Sequence, residues 1–138
     1  MKIIGLDVGK TRVGIAMADL SEKSCQALET YPRARKQAET KILEFIEKNQ
    51  IDLLVVGLPL DENGQETSEC ESIRRFCQRL CKRALIKVEF VDEWGSSLDA
   101  KQRLNLSASI DPRIRKSGVI DAEAASIILE RYLSNQGN

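Results

Sequence analysis

Apolar and polar positions fall into blocks along this chain, and the period changes from block to block. Ile3 to Val8 is a short apolar run that breaks at Gly9-Lys10-Thr11-Arg12. Val13 to Ala18 is a second such run, closed by the polar stretch from Asp19 to Ser24. Two short runs around a glycine-bearing turn predict a β-hairpin. Residues 25–31, "CQALETY", predict a third strand closed by Pro32. From Ala34 to Asn49 the period becomes helical. Ala38, Ile42, Phe45 and Ile46 share one face and charges fill the other. Leu53 to Val56 is continuously apolar and ends at Gly57 and Pro59, the pattern of a strand buried on both faces. "DENGQET" reads as loop. Ser68 followed by Glu71 predicts a capping box. The helix after it carries Cys70, Ile73, Cys77, Leu80, Cys81 and Ala84 on one face. Residues 86–91, "IKVEFV", alternate as a strand. "SSLDAKQRLNL" predicts a short serine-capped helix and "SASIDPRIRKSG" a loop. A last helix, from about Ile120 to Leu133, is apolar nearly all round and belongs in the body of the domain.

The predicted order is β-β-β-α-β-α-β-α-α. Hairpins make the first three strands antiparallel. The later two arrive through helices and should run parallel to their neighbours. The expectation is a single α/β domain over residues 1–138, a mixed five-stranded sheet with helices on both faces. A chain of 138 residues has room for one real core. No apolar stretch approaches a bilayer span, so no membrane partner is expected. The first residues run straight into a strand pattern without a cleavage-site signature, which makes the cytoplasm the expected location.

Composition narrows the chemistry by exclusion. There is no histidine, so no Ser-His-Asp or Cys-His arrangement and no histidine base is available. The cysteines, Cys25, Cys70, Cys77 and Cys81, form no C-x-x-C pair and have no histidine to complete a zinc set. Cys70, Cys77 and Cys81 sit on one helical face and are expected to be small buried hydrophobes. Any catalysis falls to carboxylates, lysines, hydroxyls or a metal.

Three carboxylates stand where a site would form. Asp7 interrupts the first strand near its end, Glu93 follows the last strand, and Asp121 opens the last helix. Ligands gather at the carboxyl ends of parallel strands. Three acids without histidine suit hard, oxygen-liking cations such as Mg²⁺ or Mn²⁺. Paired ions of this kind clamp the attacking and leaving oxygens of phosphoryl displacement. Each acid has an ordinary alternative. Asp121 could be a helix N-cap, Glu93 a solvated loop acid, and Asp7 a partner of turn amides. Asp92 is equally acidic, and alternation does not choose between it and Glu93.

The formal net charge is zero, which counts against nucleic acid if taken alone. The charge is segregated, however. Residues 61–71 carry acids and no base, and residues 74–83 carry Arg74, Arg75, Arg79, Lys82 and Arg83 and no acid. The helix macrodipole accounts for much of that split. Arg113, Arg115 and Lys116 stand just before Asp121, where a phosphate backbone would approach a metal. Lys10 and Arg12, in the first hairpin turn, form a second basic pair.

Four stretches, "GLDVGKTRVGIAMAD", "LLVVGLPLDENG", "VDEWGSS" and "GVIDAEAASIILERYL", resemble in order and spacing the motifs of the YqgF family, also called RuvX. The resemblance runs over nearly the whole chain. It implies an RNase H-like fold with strand order 3-2-1-4-5. It also implies a cytoplasmic, divalent-metal nuclease that processes the 5′ end of pre-16S rRNA, working with the ribosomal subunit as a monomer or weak homodimer. By position, Asp7, Glu93 and Asp121 match the family's acids, which favours Glu93 over Asp92. Trp94 stands where the family motif has arginine. Tryptophan cannot fork onto a phosphate but can stack on a base. Other readings are a Holliday-junction resolvase-like DNA nuclease, and a ribosome-associated nucleic-acid-binding factor whose site no longer cuts. "GLDVG" alone also suggests an actin-like phosphotransferase.

Overall fold

The computed structural model describes residues 1–22, 24–92 and 119–136. Strands β1 (Lys2–Val8), β2 (Arg12–Asp19) and β3 (Ser24–Pro32) come first, then helix α1 (Gln37–Asn49). Strand β4 (Leu53–Leu58), helix α2 (Ser68–Arg83), strand β5 (Lys87–Asp92) and helix α3 (Val119–Gln136) complete the described elements. The helix expected over residues 96–106 lies outside the described residues. The sheet has the order β3-β2-β1-β4-β5, as expected. The hairpin-linked pairs are antiparallel, and β1–β4 and β4–β5 are parallel.

Strand alternation divides the core. Ile4, Leu6, Val13, Ile15, Leu54 and Val56 pack on one face against Ile42 of α1 and Phe76 and Leu80 of α2. Ile3, Ala16, Ala18 and Val55 pack on the other against Ala125, Ile128 and Leu129 of α3. Ile128 and Leu129 are fully buried, and each such side chain contributes roughly 1.5–3 kcal/mol. Burial on both faces explains why β4 reads as an unbroken apolar run.

The α3 face is paved with small residues. Across the β1–β2 ladder Gly5 pairs with Ala16 and Asp7 pairs with Gly14. A Cβ on Gly5 would lie 2.6 Å from Leu129 Cγ and 2.8 Å from the Ala125 carbonyl oxygen. A Cβ on Gly14 would run into the backbone carbonyl of Asp121. The helix therefore sits almost backbone to backbone on the hairpin, with its first turn over Gly14.

Some local expectations change. The N-cap of α2 is Thr67, one residue before the expected Ser68. Thr67 is extended, its hydroxyl donates to the Pro59 carbonyl, and its N–H donates to Cys70 Sγ. A sulfur atom thus takes the place expected for Glu71. Arg35 and Lys36 are both left-handed, with φ of 56° and 59°. The run from Ala34 therefore opens as a 3-10 turn (Ala34–Lys36), and α1 begins only at Gln37. Asp121 lies inside the first turn of α3 rather than at its cap, because the helix already starts at Val119.

The cysteines are free thiols, with Cys70 and Cys77 buried. Burial pushes the Cys77 thiol from 9.0 up to about 12. Burial, aided by the hydrogen bond to Glu29, pushes Tyr31 from 10.0 up to about 12.

Two outcomes are expected. Gly14→Ala forces α3 off the hairpin and should lower stability by about 1–3 kcal/mol in urea unfolding; an unchanged midpoint would contradict the close approach. For pH, the unfolded chain releases the Cys77 and Tyr31 protons near their ordinary values while the folded chain holds them to about 12. The unfolded state then binds fewer protons, so stability should fall as pH rises from about 9 towards 12, and these groups should have no effect below that. Urea midpoints that stay level up to about pH 11 would contradict it.

Candidate metal and nucleic-acid site at the carboxyl edge of the sheet

The carboxyl ends of β1, β4 and β5 lie along one edge. Leu6 pairs with Val56, and Gly57 pairs with Val91, so Asp7 stands level with Gly57 and Val91. Two strand spacings separate β1 from β5, about 10 Å. Asp7 shares the face of Ile3 and Gly5, under α3, and is half-buried. The polar residue in that apolar strand therefore sits at the rim of the core, at the edge where ligands gather.

Asp121 is brought to the same place by packing. Its backbone rests on Gly14, and Gly14 is the cross-strand partner of Asp7. Two of the three expected acids thus converge from a strand and a helix. Glu93, Trp94, Arg113, Arg115 and Lys116 lie outside the described residues. Asp92 is described. Val88 and Phe90 pack on the α1–α2 face and Val91 on the α3 face, so alternation puts Asp92 on the face away from Asp7. There it lines an acidic cleft with Asp61 and Glu62. Arg131 of α3 donates to the Asp92 carbonyl at 3.1 Å, tying the helix to the end of β5.

The oxygen donors suit a hard divalent cation. Asp121 Oδ2 is buried and makes no hydrogen bond of normal geometry. Among the described residues it is paired with Arg12, whose Nε lies 2.5 Å away. The contact is an ion pair in which the N–H is not aimed at the oxygen. Among the described residues, no three histidine, cysteine or acidic side chains form a metal cage. Asp7 and Asp121 would supply part of such a set.

The hairpin bases are separated rather than paired. Arg12 lies on the α3 face against Asp121. Lys10 lines a cleft of about 200 Å³ on the α2 side, with Arg33, Ser68, Ser72 and one acid, Glu69. Arg33 is fastened to the same turn. Its Nη1 donates to the Gly9 carbonyl and its N–H to the Thr11 carbonyl, both at 2.8 Å. Arg33 is not legible as part of this turn from local sequence, because it lies more than twenty residues from the turn it braces; its place after Tyr31-Pro32 is the available signal.

The α2 bases are largely committed within the chain. Arg74 binds Glu66 at 2.7 Å and covers the Phe90 ring, Arg75 binds Glu71, and Arg79 binds Glu39. The bidentate Arg74 fork holds the Glu66 carboxyl below its ordinary value. Charge segregation along α2 is thus structural.

Comparison with known proteins identifies the family and the fold. A family model described as "RuvX: Holliday junction resolvase" matches residues 1–135. A protein of Thermoanaerobacter pseudethanolicus named "Putative pre-16S rRNA nuclease" is 33% identical over 139 aligned positions, covering 100% of this chain and 99% of the relative. A protein of the same name from Clostridioides difficile is 37% identical, covering 96% of this chain and 93% of the relative. The structure of Thermus thermophilus RuvC aligns with a TM-score of 0.59 at 14% identity, over 99% of this chain and 97% of that one. The fowlpox virus Holliday junction resolvase aligns with a TM-score of 0.54 at 13% identity, over 99% of each chain. Both share the fold. From its motifs, its sheet order and these matches, the chain belongs to the RuvX (YqgF) family, nucleases of RNase H-like fold.

Proposed function

We propose that this chain is a divalent-metal-dependent endonuclease that processes the 5′ end of pre-16S rRNA on the assembling ribosomal subunit. The observation that carries the reading is the seat of Asp121 on Gly14, directly across the ladder from Asp7. Asp7, Asp121 and Glu93 would hold Mg²⁺ or Mn²⁺. Glu93 enters through the family motif, and the placement of Asp92 on the opposite face supports that choice. Bound there, the metal would supply a low-pKa water as nucleophile and stabilise the leaving oxyanion. The protein's part is positional. Asp7 is held on a central strand, and Asp121 is held by a helix with no room to slide on Gly14.

Lys10 and Arg33 flank the turn on the α2 side and would grip phosphates without reading sequence. Arg12, Arg113, Arg115 and Lys116 are the further candidates for that backbone contact. RNA is favoured over a DNA junction by the names of the curated relatives. The β4 sequence "LLVVGL" carries no acidic residue that could join the site from this strand. No helix among the described residues is long and apolar enough to cross a membrane. We place the protein in the cytoplasm, where pre-rRNA is processed, as a monomer or weak homodimer.

The test sets a 5′-extended 16S precursor RNA beside a four-way DNA junction, in Mg²⁺ and in Mn²⁺. The RNA should be cut, EDTA should stop cutting, and Asp7→Asn and Asp121→Asn should each slow it by about 10²-fold or more. If the junction is cut and the RNA stays intact, the rRNA assignment fails. If Asp7→Asn cuts as fast as the parent, the site assignment fails. Lys10→Gln should weaken RNA binding about equally for all sequences and flatten the salt dependence by about 0.7 in log–log slope. An unaltered slope would remove Lys10 from the interface.

A further inference from the structure

Arg12 occupies an odd place for a nucleic-acid contact. It projects onto the α3 face and lies against the carboxylate that the proposed metal needs. We propose that Arg12 is a displaceable counter-ion: it neutralises Asp121 in the metal-free protein, leaves when the divalent cation binds, and so sets the metal affinity of the site. This rests on the metal-site reading above and goes beyond it by giving Arg12 a role in loading.

Three observations support it. First, the pair is close but poorly made. Nε lies 2.5 Å from Asp121 Oδ2, yet the oxygen has no hydrogen bond of normal geometry. A stable arginine–carboxylate pair uses the planar fork and two parallel N–H bonds, as Arg74 does with Glu66. Arg12 meets Asp121 through Nε, as a charge rather than as a fork. Second, the partners differ in freedom. Asp121 is pinned, because its backbone is pressed onto Gly14. Arg12 begins β2 beside the turn, and its side chain is 41% exposed. When a second cation arrives, the guanidinium is the group that can move, and water is at hand to receive it. Third, the Asp121 charge requires a counter-ion. Its Oδ2 is buried beside the rung that holds Asp7, and a buried carboxylate oxygen needs a positive charge or a hydrogen bond at hand. Arginine stays protonated at any working pH. It can compensate Asp121 until a divalent ion, with twice the charge and a smaller radius, takes its place. Cation binding and Arg12 release are then two halves of one exchange, and the coupling is reciprocal.

The experiment is an NMR titration of the full chain with Mg²⁺, which is diamagnetic and requires no cleavage. The Arg12 Nε–H signal is identified by its loss in Arg12→Lys. It should shift during the titration with the same midpoint as the backbone amides of Asp7 and Gly14. In Arg12→Gln that amide midpoint should fall at about tenfold lower Mg²⁺. Arg12→Lys keeps a mobile cation and should lie between the two. Through-space repulsion alone would lower the Arg12→Gln midpoint but leave the Arg12 Nε–H signal of the parent unmoved at saturation. That outcome overturns the displacement proposal, as does an Arg12→Gln midpoint equal to the parent's. If the amides of Asp7, Gly14 and Asp121 stay unmoved in every variant at saturating Mg²⁺, the metal-site reading falls as well. Breaking a half-exposed ion pair costs little stability, and the amide spectrum of each variant reports whether it is folded.

Discussion

The first turn of α3 lies so close to β2 that only glycine fits at position 14. The rest of the site depends on that contact. A helix resting on a sheet is normally held off by side chains on both surfaces. Here Gly5, Gly14, Ala16 and Ala18 remove them on the sheet side, and the helix settles to backbone distance. That fixes the height of α3 above the hairpin. It also fixes where Asp121 is presented, because the residue one turn further along, Ala125, lies over Gly5 instead. Ala125, Ile128 and Leu129 then supply the apolar burial that holds the helix down. Packing and site geometry are one arrangement, so neither can be altered alone.

Charge is distributed to the same end. The chain is neutral overall, and most of the described α2 cations are tied to acids of α1, α2 and the preceding loop. These pairs are exposed and contribute little individually to stability. Their effect is to neutralise the outer surface of α2. Near the hairpin turn the balance differs. Lys10 and Arg33 share a cleft with one acid, and Arg33 is braced by the turn's own carbonyls. A zero net charge is therefore compatible with a phosphate-binding edge, since attraction depends on local field rather than on the sum.

The elements were largely legible because periodicity is a local property. β4 and α3 could be read from the sequence since both are buried on nearly all sides, and their composition says so. Asp7 was legible for the opposite reason, as a charge interrupting an apolar run. What sequence reading missed depends on contacts between distant segments. Gly14 lies within the apolar run from Val13 to Ala18, and nothing local records that α3 rests on it. Lys10 and Arg12 looked like a pair, yet the turn between β1 and β2 sends them to opposite faces. Thr67 outcompeted Ser68 as the α2 cap because the Pro59 carbonyl is within reach of its hydroxyl. The left-handed Arg35 and Lys36 delayed α1, which a count of apolar positions cannot detect.

A carboxylate in an apolar strand is tolerable when the structure supplies positive charge at its edge. Near Asp7 and Asp121 the fixed scaffold supplies closeness, through Gly14, while Arg12 supplies neutralisation from a half-exposed position. A permanent, well-made fork to Asp121 would close the carboxylate to any other cation. The imperfect Nε contact leaves Asp121 both compensated and available. The rigid element sets the placement of Asp121 and the movable one compensates its charge, and the proposed exchange of a cation needs both.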